Sequence, residues 1–252
     1  TAFLSVASKA AGFVALVVLI YTAFPLSEAI WQPFIWVLSA LTMTIGNVLA
    51  LKQKNIVRMI AYSSISQGGF VLMPLAVAGL VGSGSTALRS VVLYMIVYAA
   101  TNLGIFAVIL AVSSKTRSGD VSSFGGLFSY APALGVLMTL FLASLAGIPP
   151  LGGLIAKFVA FQSLIQSQSS WGYALAIIGA VNSVVAFGYY GNVMREIWMR
   201  PVPDSDTTLI SVPGSLKLAL VITAGATLVF GILPGVGLQF ADLAEIAGAI
   251  IR

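Results

Sequence analysis

The chain has 252 residues, of which 59% are hydrophobic and only 8% are charged. A soluble globular domain carries about 25% charged residues, so this composition excludes a soluble protein and indicates an integral membrane protein. Neither cysteine nor histidine occurs. Their absence excludes disulfides, cysteine-bound iron–sulfur clusters, Cys/His zinc sites and histidine-ligated haem within these residues. It also excludes a catalytic triad of the usual composition.

Seven apolar stretches are long enough to cross about 30 Å of hydrocarbon. They predict an all-α integral membrane fold with spans at about 1–20, 34–51, 55–80, 88–112, 131–167, 171–198 and 215–233. A loop marked by Pro25, Glu28 and Pro33 precedes the second span, and a polar connection, 113–130, follows the fourth. The tail, 236–252, is only moderately apolar, and we expect it to be an interfacial segment. An apolar run is already under way at Thr1, so we also expect the chain to continue upstream.

The fifth stretch contains residues that oppose a continuous helix, namely Gly147, Pro149, Pro150, Gly152 and Gly153. Proline removes an amide donor and clashes with the preceding turn, so we expect the helix to open here. The 37 residues from 131 to 167 are also too many for one straight span at 1.5 Å each. In a membrane, such an opening is tolerated where protein or a water-filled cavity covers it. The sequence therefore predicts a discontinuous helix.

Basic residues divide unevenly between the two sides that seven alternating spans create. One side receives eight of them: Lys52, Lys54, Arg58, Lys115, Arg117, Arg195, Arg200 and Lys217. The other side receives only Arg89 and Arg252. Cytoplasmic loops carry an excess of Lys and Arg. The division therefore predicts that the loops 52–58, 113–130 and 199–214 are cytoplasmic and that the C-terminus is outside.

Two lysines, Lys9 and Lys157, remain within predicted spans, and no Asp or Glu lies in the middle of any span. A lysine at the bilayer centre costs about 2.5–3.5 kcal/mol on insertion scales. One interpretation is structural, because a lysine can snorkel or cap a helix break. The other is a proton-binding site, because desolvation disfavours the charged ammonium and lets it exchange protons near neutrality. We favour the second interpretation for both lysines.

Polar side chains recur at helical spacing near these lysines. Ser5 and Ser8 share a face of the first span with Lys9. The third and fourth spans carry Ser63, Ser64, Gln67, Tyr94, Tyr98, Thr101 and Asn102. Such groups often only form hydrogen bonds between neighbouring helices. Beside two mid-span lysines, however, they predict a hydrated chain of hydrogen-bonded side chains. Farther along the chain, Asn182, Ser183, Thr223 and Thr227 are better explained as packing residues.

Four segments make the sequence recognisable: FLSVASKAAGF at 3–13, NVLALKQKNIVRMIAYSSISQGGF at 47–70, ATNLGIFAVI at 100–109 and SLAGIPPLGGLIAKFVAF at 144–161. In order and spacing they resemble the antiporter-like membrane subunits of respiratory complex I, the NADH:quinone oxidoreductase. Among these the chain most resembles the C-terminal half of the N-type subunit. One departure is Gln67, where many relatives carry histidine. Glutamine cannot be protonated at physiological pH, so a relay through this point would use water.

The resemblance implies a proton-translocating subunit of this oxidoreductase, with no cofactor or metal site of its own. NADH, FMN, iron–sulfur clusters and quinone would be bound in partner subunits. The partners would be the other membrane subunits of complex I and the lipid of a bacterial plasma (inner) membrane, and no nucleic acid is implied. Lys157 would match the broken-helix lysine of the family, and Lys9 the connecting lysine of its central polar axis. The family's Glu/Lys pair belongs to helices upstream of this sequence.

The resemblance also implies a domain organisation. Residues 1–20 would be the last helix of a first inverted repeat, 34–198 a second five-helix repeat with its broken helix at 131–167, and 215–252 the C-terminal helix and tail. Two alternatives stay open. A multi-subunit cation/proton antiporter of the same superfamily is one, although sodium transport would favour an intramembrane carboxylate. A purely structural assembly subunit is the other, although two costly lysines count against it.

Overall fold

The computed structural model describes residues 2–80 and 84–250, and nearly all of them are helical. The helices are α1 (Ala2–Val18), α2 (Glu28–Leu51), α3 (Ile56–Leu72), α4 (Gly84–Thr116), α5 (Leu127–Tyr130), α6 (Pro132–Ala146), α7 (Gly152–Gln166), α8 (Ser170–Met199), α9 (Gly214–Ile232) and α10 (Pro234–Ile250). A π-helical turn, Leu19–Ala23, extends α1, and a 3-10 turn, Pro74–Val77, follows α3. No strand forms among the described residues, and the all-α prediction is confirmed.

The membrane-spanning pattern also agrees with the sequence. Six described helical segments are long and apolar enough to cross a membrane, and they correspond to the predicted first, second, third, fourth, sixth and seventh spans. The predicted fifth span consists of α6 and α7, each of 15 residues. At 1.5 Å per residue each covers only about 22 Å, so neither crosses alone. The discontinuity between them, at 147–151, is confirmed.

The second span begins earlier than the sequence suggested. Helix α2 starts at Glu28, and Pro33 lies inside it rather than in a loop. Pro33 is only the sixth residue of the helix, so the single amide bond to the Ala29 carbonyl is lost near one end. The prediction of a loop was wrong because a proline signals a helix boundary only statistically.

The fourth span is longer than predicted, and the connection after it is more ordered. Helix α4 continues to Thr116, so the polar segment 113–130 begins inside a helix. The rest of that segment forms a 3-10 turn, Val121–Phe124, and the short helix α5. Hydroxyl and backbone bonds at each of these turns satisfy polar groups that hydropathy alone assigned to a loop.

The three basic loops lie together at one end of the helix bundle. The Ile56 amide donates to the Gly119 carbonyl (2.7 Å), which joins the first loop to the second. Lys115 Nζ donates to the carbonyls of Asp206 and Thr208 (2.9 and 2.7 Å), which joins the second loop to the third. The eight basic residues that the sequence assigned to one side of the membrane therefore share one end of the molecule.

The tail forms helix α10, which packs on the first turns of α4. Arg89 of α4 and Asp242 of α10 form an ion pair of 2.7 Å. The backbone changes direction at Leu233, between α9 and α10, which is the predicted end of the seventh span. The interfacial position of this tail stays a prediction, and Arg252 lies outside the described residues, as does Thr1.

Candidate functional site

The break between α6 and α7 places the carbonyl end of α6 inside the bundle. Gly147 ends the helix in left-handed backbone geometry, with φ of 92°. Its amide donates to the Ala143 and Ser144 carbonyls (3.1 and 2.9 Å), and the Ile148 amide donates to Ala143 as well (2.9 Å). Two of the four carbonyls that a helix end leaves without intrahelical donors are satisfied in this way by the backbone.

The other two carbonyls accept hydrogen bonds from side chains of different helices. Gln67 Nε2 of α3 donates to the Leu145 carbonyl (3.3 Å). Lys157 Nζ of α7 donates to the Ala146 carbonyl (3.1 Å). A helix C-terminus carries partial negative charge and favours a cation. The break thus creates an electronegative site inside the bundle, and Lys157 occupies it.

Lys157 is almost fully enclosed. It is 5% exposed, and its Nζ lies 4.8 Å from the centroid of the Phe70 ring, in a cation–π arrangement. An ammonium has three donors, and among the described residues only the Ala146 carbonyl accepts from this one. The charge of Lys157 therefore depends on one carbonyl, one aromatic face and the helix dipole.

Ser144 joins the two halves of the broken helix. Its hydroxyl accepts from the Gly153 amide at the start of α7 (3.0 Å) and lies 3.4 Å from the hydroxyl of Thr101 on α4. Thr101 is also 3.4 Å from the hydroxyl of Thr227 on α9. A Cβ added at Gly153 would overlap the Ser144 carbonyl. The two half-helices meet so closely that only glycine fits at this position.

Lys9 lies in a second polar cluster, on the first and third helices. Its Nζ donates to both the carbonyl and the hydroxyl of Ser64. The Ser64 hydroxyl is 2.5 Å from the Tyr98 hydroxyl, and the Lys9 ammonium lies 5.3 Å from the Tyr98 ring centroid. One turn away on α1 and α4, Asn102 Nδ2 donates to Ser5 Oγ (2.9 Å). Lys9 is only half-buried, so this cluster lies at the edge of the described bundle.

Helices α3 and α4 connect the two lysine clusters through two rungs of hydrogen bonds. The first rung is Ser64 with Tyr98. The second is Gln67 with Tyr94, whose hydroxyl donates to Gln67 Oε1 (2.5 Å). The rungs are about one helical turn apart, roughly 5 Å. No hydrogen bond between described residues joins them directly.

Tyr190 of α8 is a member of the site that sequence reasoning missed. Its hydroxyl bonds to the hydroxyl of Ser63 and accepts from Gln67 Nε2 (3.2 Å). It is fully buried. A tyrosine in an apolar helix does not by itself indicate a functional site in a sequence. Its hydroxyl nevertheless needs a hydrogen-bond partner once it is buried.

Three other polar residues connect α8 to α2. Tyr189 donates to Asn47 Oδ1 (3.0 Å), and Asn47 Nδ2 donates to Asn182 Oδ1 (2.9 Å). Asn182 was assigned to packing, and its bonds join two helices as a packing residue would. Asn47, an amide within the second span, is the signal that could have pointed to this group.

Not every predicted residue enters these clusters. Ser8 is exposed and donates to the Leu4 carbonyl of its own helix, so the structure separates it from the Lys9 cluster. Thr101 donates to the Val97 carbonyl one turn earlier (2.9 Å) and reaches other helices only at 3.4 Å. Asn102 Oδ1 is buried and has no hydrogen-bond partner among the described residues.

Known proteins resemble the chain in sequence and in fold. NADH-quinone oxidoreductase subunit N of Trichlorobacter lovleyi is 40% identical over 245 residues, which cover 97% of this chain and 48% of the relative. The chain spans about half the length of the curated relatives it matches. In the solved respiratory complex I from Thermus thermophilus with bound aureothin, one chain superposes with a TM-score of 0.69 and 26% identity. That superposition covers 82% of this chain and 45% of the other.

The Mrp complex from Dietzia sp. superposes with a TM-score of 0.76 over 86% of this chain and 47% of that chain, but at 18% identity it shows only a shared fold. The sequence model of the family described as NADH:quinone oxidoreductase/Mrp antiporter, TM, matches residues 1–184. This match covers well over half of the chain and includes both lysine clusters and the helix break. The chain therefore belongs to the NADH:quinone oxidoreductase/Mrp antiporter family of transmembrane proteins.

Proposed function

We propose that the chain forms part of a proton-translocating membrane subunit of NADH:quinone oxidoreductase. The observation that carries this proposal is the placement of two lysines within the bundle, with Lys157 bonded to the carbonyl end of a broken helix. Resemblance to proteins named subunit N of that oxidoreductase supports the choice of complex. The electron carriers (NADH, FMN, iron–sulfur clusters and quinone) belong to partner subunits, and other membrane subunits of the complex surround this chain.

Lys157 is the group that takes up and releases the proton. The Ala146 carbonyl and the dipole of α6 stabilise its ammonium, and the face of Phe70 adds a cation–π contribution. Against these stands the cost of a charge removed from water. Because these contributions oppose one another, a change of charge nearby shifts the protonation of Lys157.

Lys9 transmits that change of charge to the surroundings of Lys157. Its ammonium is bonded to Ser64, which in turn bonds to Tyr98. The second rung, Tyr94 with Gln67, lies one turn farther along and reaches the helix break through the Leu145 carbonyl. Gln67 does not carry a proton, so water completes the path at this rung. Electron transfer in the partner subunits supplies the energy for the cycle.

The proposal includes the orientation and the repeat structure. The end of the bundle with the three basic loops faces the cytoplasm of a bacterium, across its inner membrane, and the C-terminus is outside. Helix α1 closes a first inverted repeat, α2 to α8 form the second, and α9 with α10 complete the chain. A broken helix in each inverted repeat is a general pattern among transporters.

A cation/proton antiporter is the other activity within this family. Sodium binding would favour a carboxylate near the lysines, and no described carboxylate forms an ion pair with Lys9 or Lys157. Proton translocation coupled to the oxidoreductase is therefore the function that the site supports best.

The test is Lys157→Ala in inside-out membrane vesicles that contain the whole complex. We expect fewer protons translocated per electron, because the variant removes the titrating group. The matched control is Lys217→Ala, which removes an exposed lysine at the basic end of α9 and leaves the ratio unchanged. A wild-type ratio for Lys157→Ala in a fully assembled complex would show that the role given to Lys157 is wrong. Failure of NADH-oxidising subunits to co-purify would overturn the choice of complex.

A further inference from the structure

We propose that Tyr190 is a positioning residue for Lys157 and that it acts through the carboxamide of Gln67. This inference rests on the proposed proton translocation and adds a residue on α8 to the site. Tyr190 makes no hydrogen bond to Lys157. It contacts Gln67, and Gln67 donates to the carbonyl next to the one that accepts from Lys157.

Tyr190 helps to decide which way the Gln67 carboxamide points. Tyr94 donates to Gln67 Oε1 (2.5 Å), while Gln67 Nε2 donates both to Tyr190 (3.2 Å) and to the Leu145 carbonyl (3.3 Å). A rotated carboxamide would set its oxygen against the Leu145 carbonyl oxygen, two acceptors without a proton between them. The two tyrosines therefore bind opposite ends of one amide and hold its donor toward the helix break.

The hydroxyl of Tyr190 is itself held in place from two sides. It bonds to Ser63 of α3, and its ring packs edge-on against Tyr189, with centroids 4.4 Å apart. Tyr189 in turn donates to Asn47 of α2. In an apolar interior each polar group needs its partner. These contacts fix the position of the Tyr190 hydroxyl, which is one of the two acceptors of Gln67 Nε2.

Consecutive carbonyls at the end of α6 link this arrangement to Lys157. Gln67 satisfies the carbonyl of Leu145, and Lys157 donates to that of Ala146. Without the Tyr190 hydroxyl, Gln67 Nε2 keeps only the Leu145 carbonyl as its acceptor, at 3.3 Å, and the carboxamide is free to turn away from it. The carbonyl that it leaves is next to that of Ala146 in the chain, and it becomes available to the ammonium as a second acceptor. The protonated state of Lys157 is then favoured, and proton release requires a higher pH.

Other titratable groups on the helices packed against α7 are few among the described residues. The buried ones are tyrosines, namely Tyr94 and Tyr98 on α4 and Tyr189 and Tyr190 on α8. The charged ones lie toward helix ends, namely Arg58 on α3, Arg89 and Lys115 on α4, Arg195 and Glu196 on α8, and Lys217 on α9. Among these described groups, Lys157 is thus the buried amine, and the carbonyl next to its acceptor is the one that Gln67 satisfies.

The experiment is Tyr190→Phe in inside-out vesicles with the intact complex, with NADH-driven acidification followed across a range of pH. We expect the pH midpoint of the proton-translocation rate to rise by roughly 0.5–1 unit. Tyr173→Phe is the matched control, because Tyr173 lies on the same helix and is exposed, and its midpoint stays at the wild-type value. Rates are compared per amount of assembled complex.

A second variant tests whether the effect passes through Gln67. Gln67→Met removes the donor to Leu145 directly, so by itself it raises the midpoint as Tyr190→Phe does. In the double variant the two shifts do not add. An unshifted midpoint in either single variant, or fully additive shifts, would overturn the proposal. Failure of the proposed function shows differently, since Lys157→Ala would then leave the number of protons per electron unchanged.

Discussion

Lys9 and Lys157 are held in the helix bundle in different ways. Lys9 is half-buried on a continuous helix and donates to two acceptors, both on Ser64. Lys157 is 5% exposed and donates to one carbonyl at a helix break. The charge of Lys9 is therefore supported by the hydroxyl and the carbonyl of one neighbouring residue. The charge of Lys157 is supported by backbone geometry, and it is the more sensitive to any movement of the break.

The same substitution in both regions gives the largest contrast. At Gly153 an added Cβ would overlap the Ser144 carbonyl, whereas at Gly12, one turn from Lys9, it meets nothing within 4 Å. Gly153→Ala therefore destabilises the fold by roughly 1–3 kcal/mol and displaces α7. Gly12→Ala is neutral or stabilising by up to about 1 kcal/mol. Thermal unfolding of the purified complex measures both, and similar melting temperatures for the two variants would contradict the described break.

The location of this break could be predicted from sequence because its cause is local. Pro149 and Pro150 cannot donate amide hydrogen bonds, whatever their surroundings. Pro33 shows the limit of the same rule, since near the start of α2 the loss of one amide bond does not end the helix. What a proline does depends on its place within the helix as well as on its own chemistry.

The partners of polar side chains were harder to predict than their presence. Ser63 and Tyr190 are 127 positions apart, and no spacing rule connects residues at that separation. Ser5 and Ser8 lie on one face by helical spacing, yet Ser5 accepts from Asn102 while Ser8 is exposed. Periodicity predicts which residues lie on the same face of a helix. The packing of the other helices determines which residue each of them bonds to.

Substitution of Lys9 tests whether the edge lysine exchanges protons or only supplies charge. Lys9→Met removes both, and Lys9→Arg keeps a charge that cannot be released. We expect proton translocation to fall in both variants, by less than in Lys157→Ala, because Lys157 is the group that takes up and releases the proton in the proposed path. The measurement is the proton-to-electron ratio in inside-out vesicles. A wild-type ratio for Lys9→Arg would limit Lys9 to an electrostatic role, and wild-type ratios for both variants would remove it from the path.

The smallest effect is expected at the link between Lys9 and the first rung. Ser64→Ala removes one of the two acceptors of Lys9 and the partner of Tyr98, but the Ser64 carbonyl still accepts from the ammonium. A hydrogen bond contributes about 1 kcal/mol, which corresponds to a roughly five-fold slower translocation rate. Ser66→Ala is the matched control, because Ser66 is buried on the same helix and has no hydrogen-bond partner among the described residues. Equal rates for the two variants would mean that the Ser64 hydroxyl does not transmit the state of Lys9, and that the connection between the two lysines depends on the backbone and water alone.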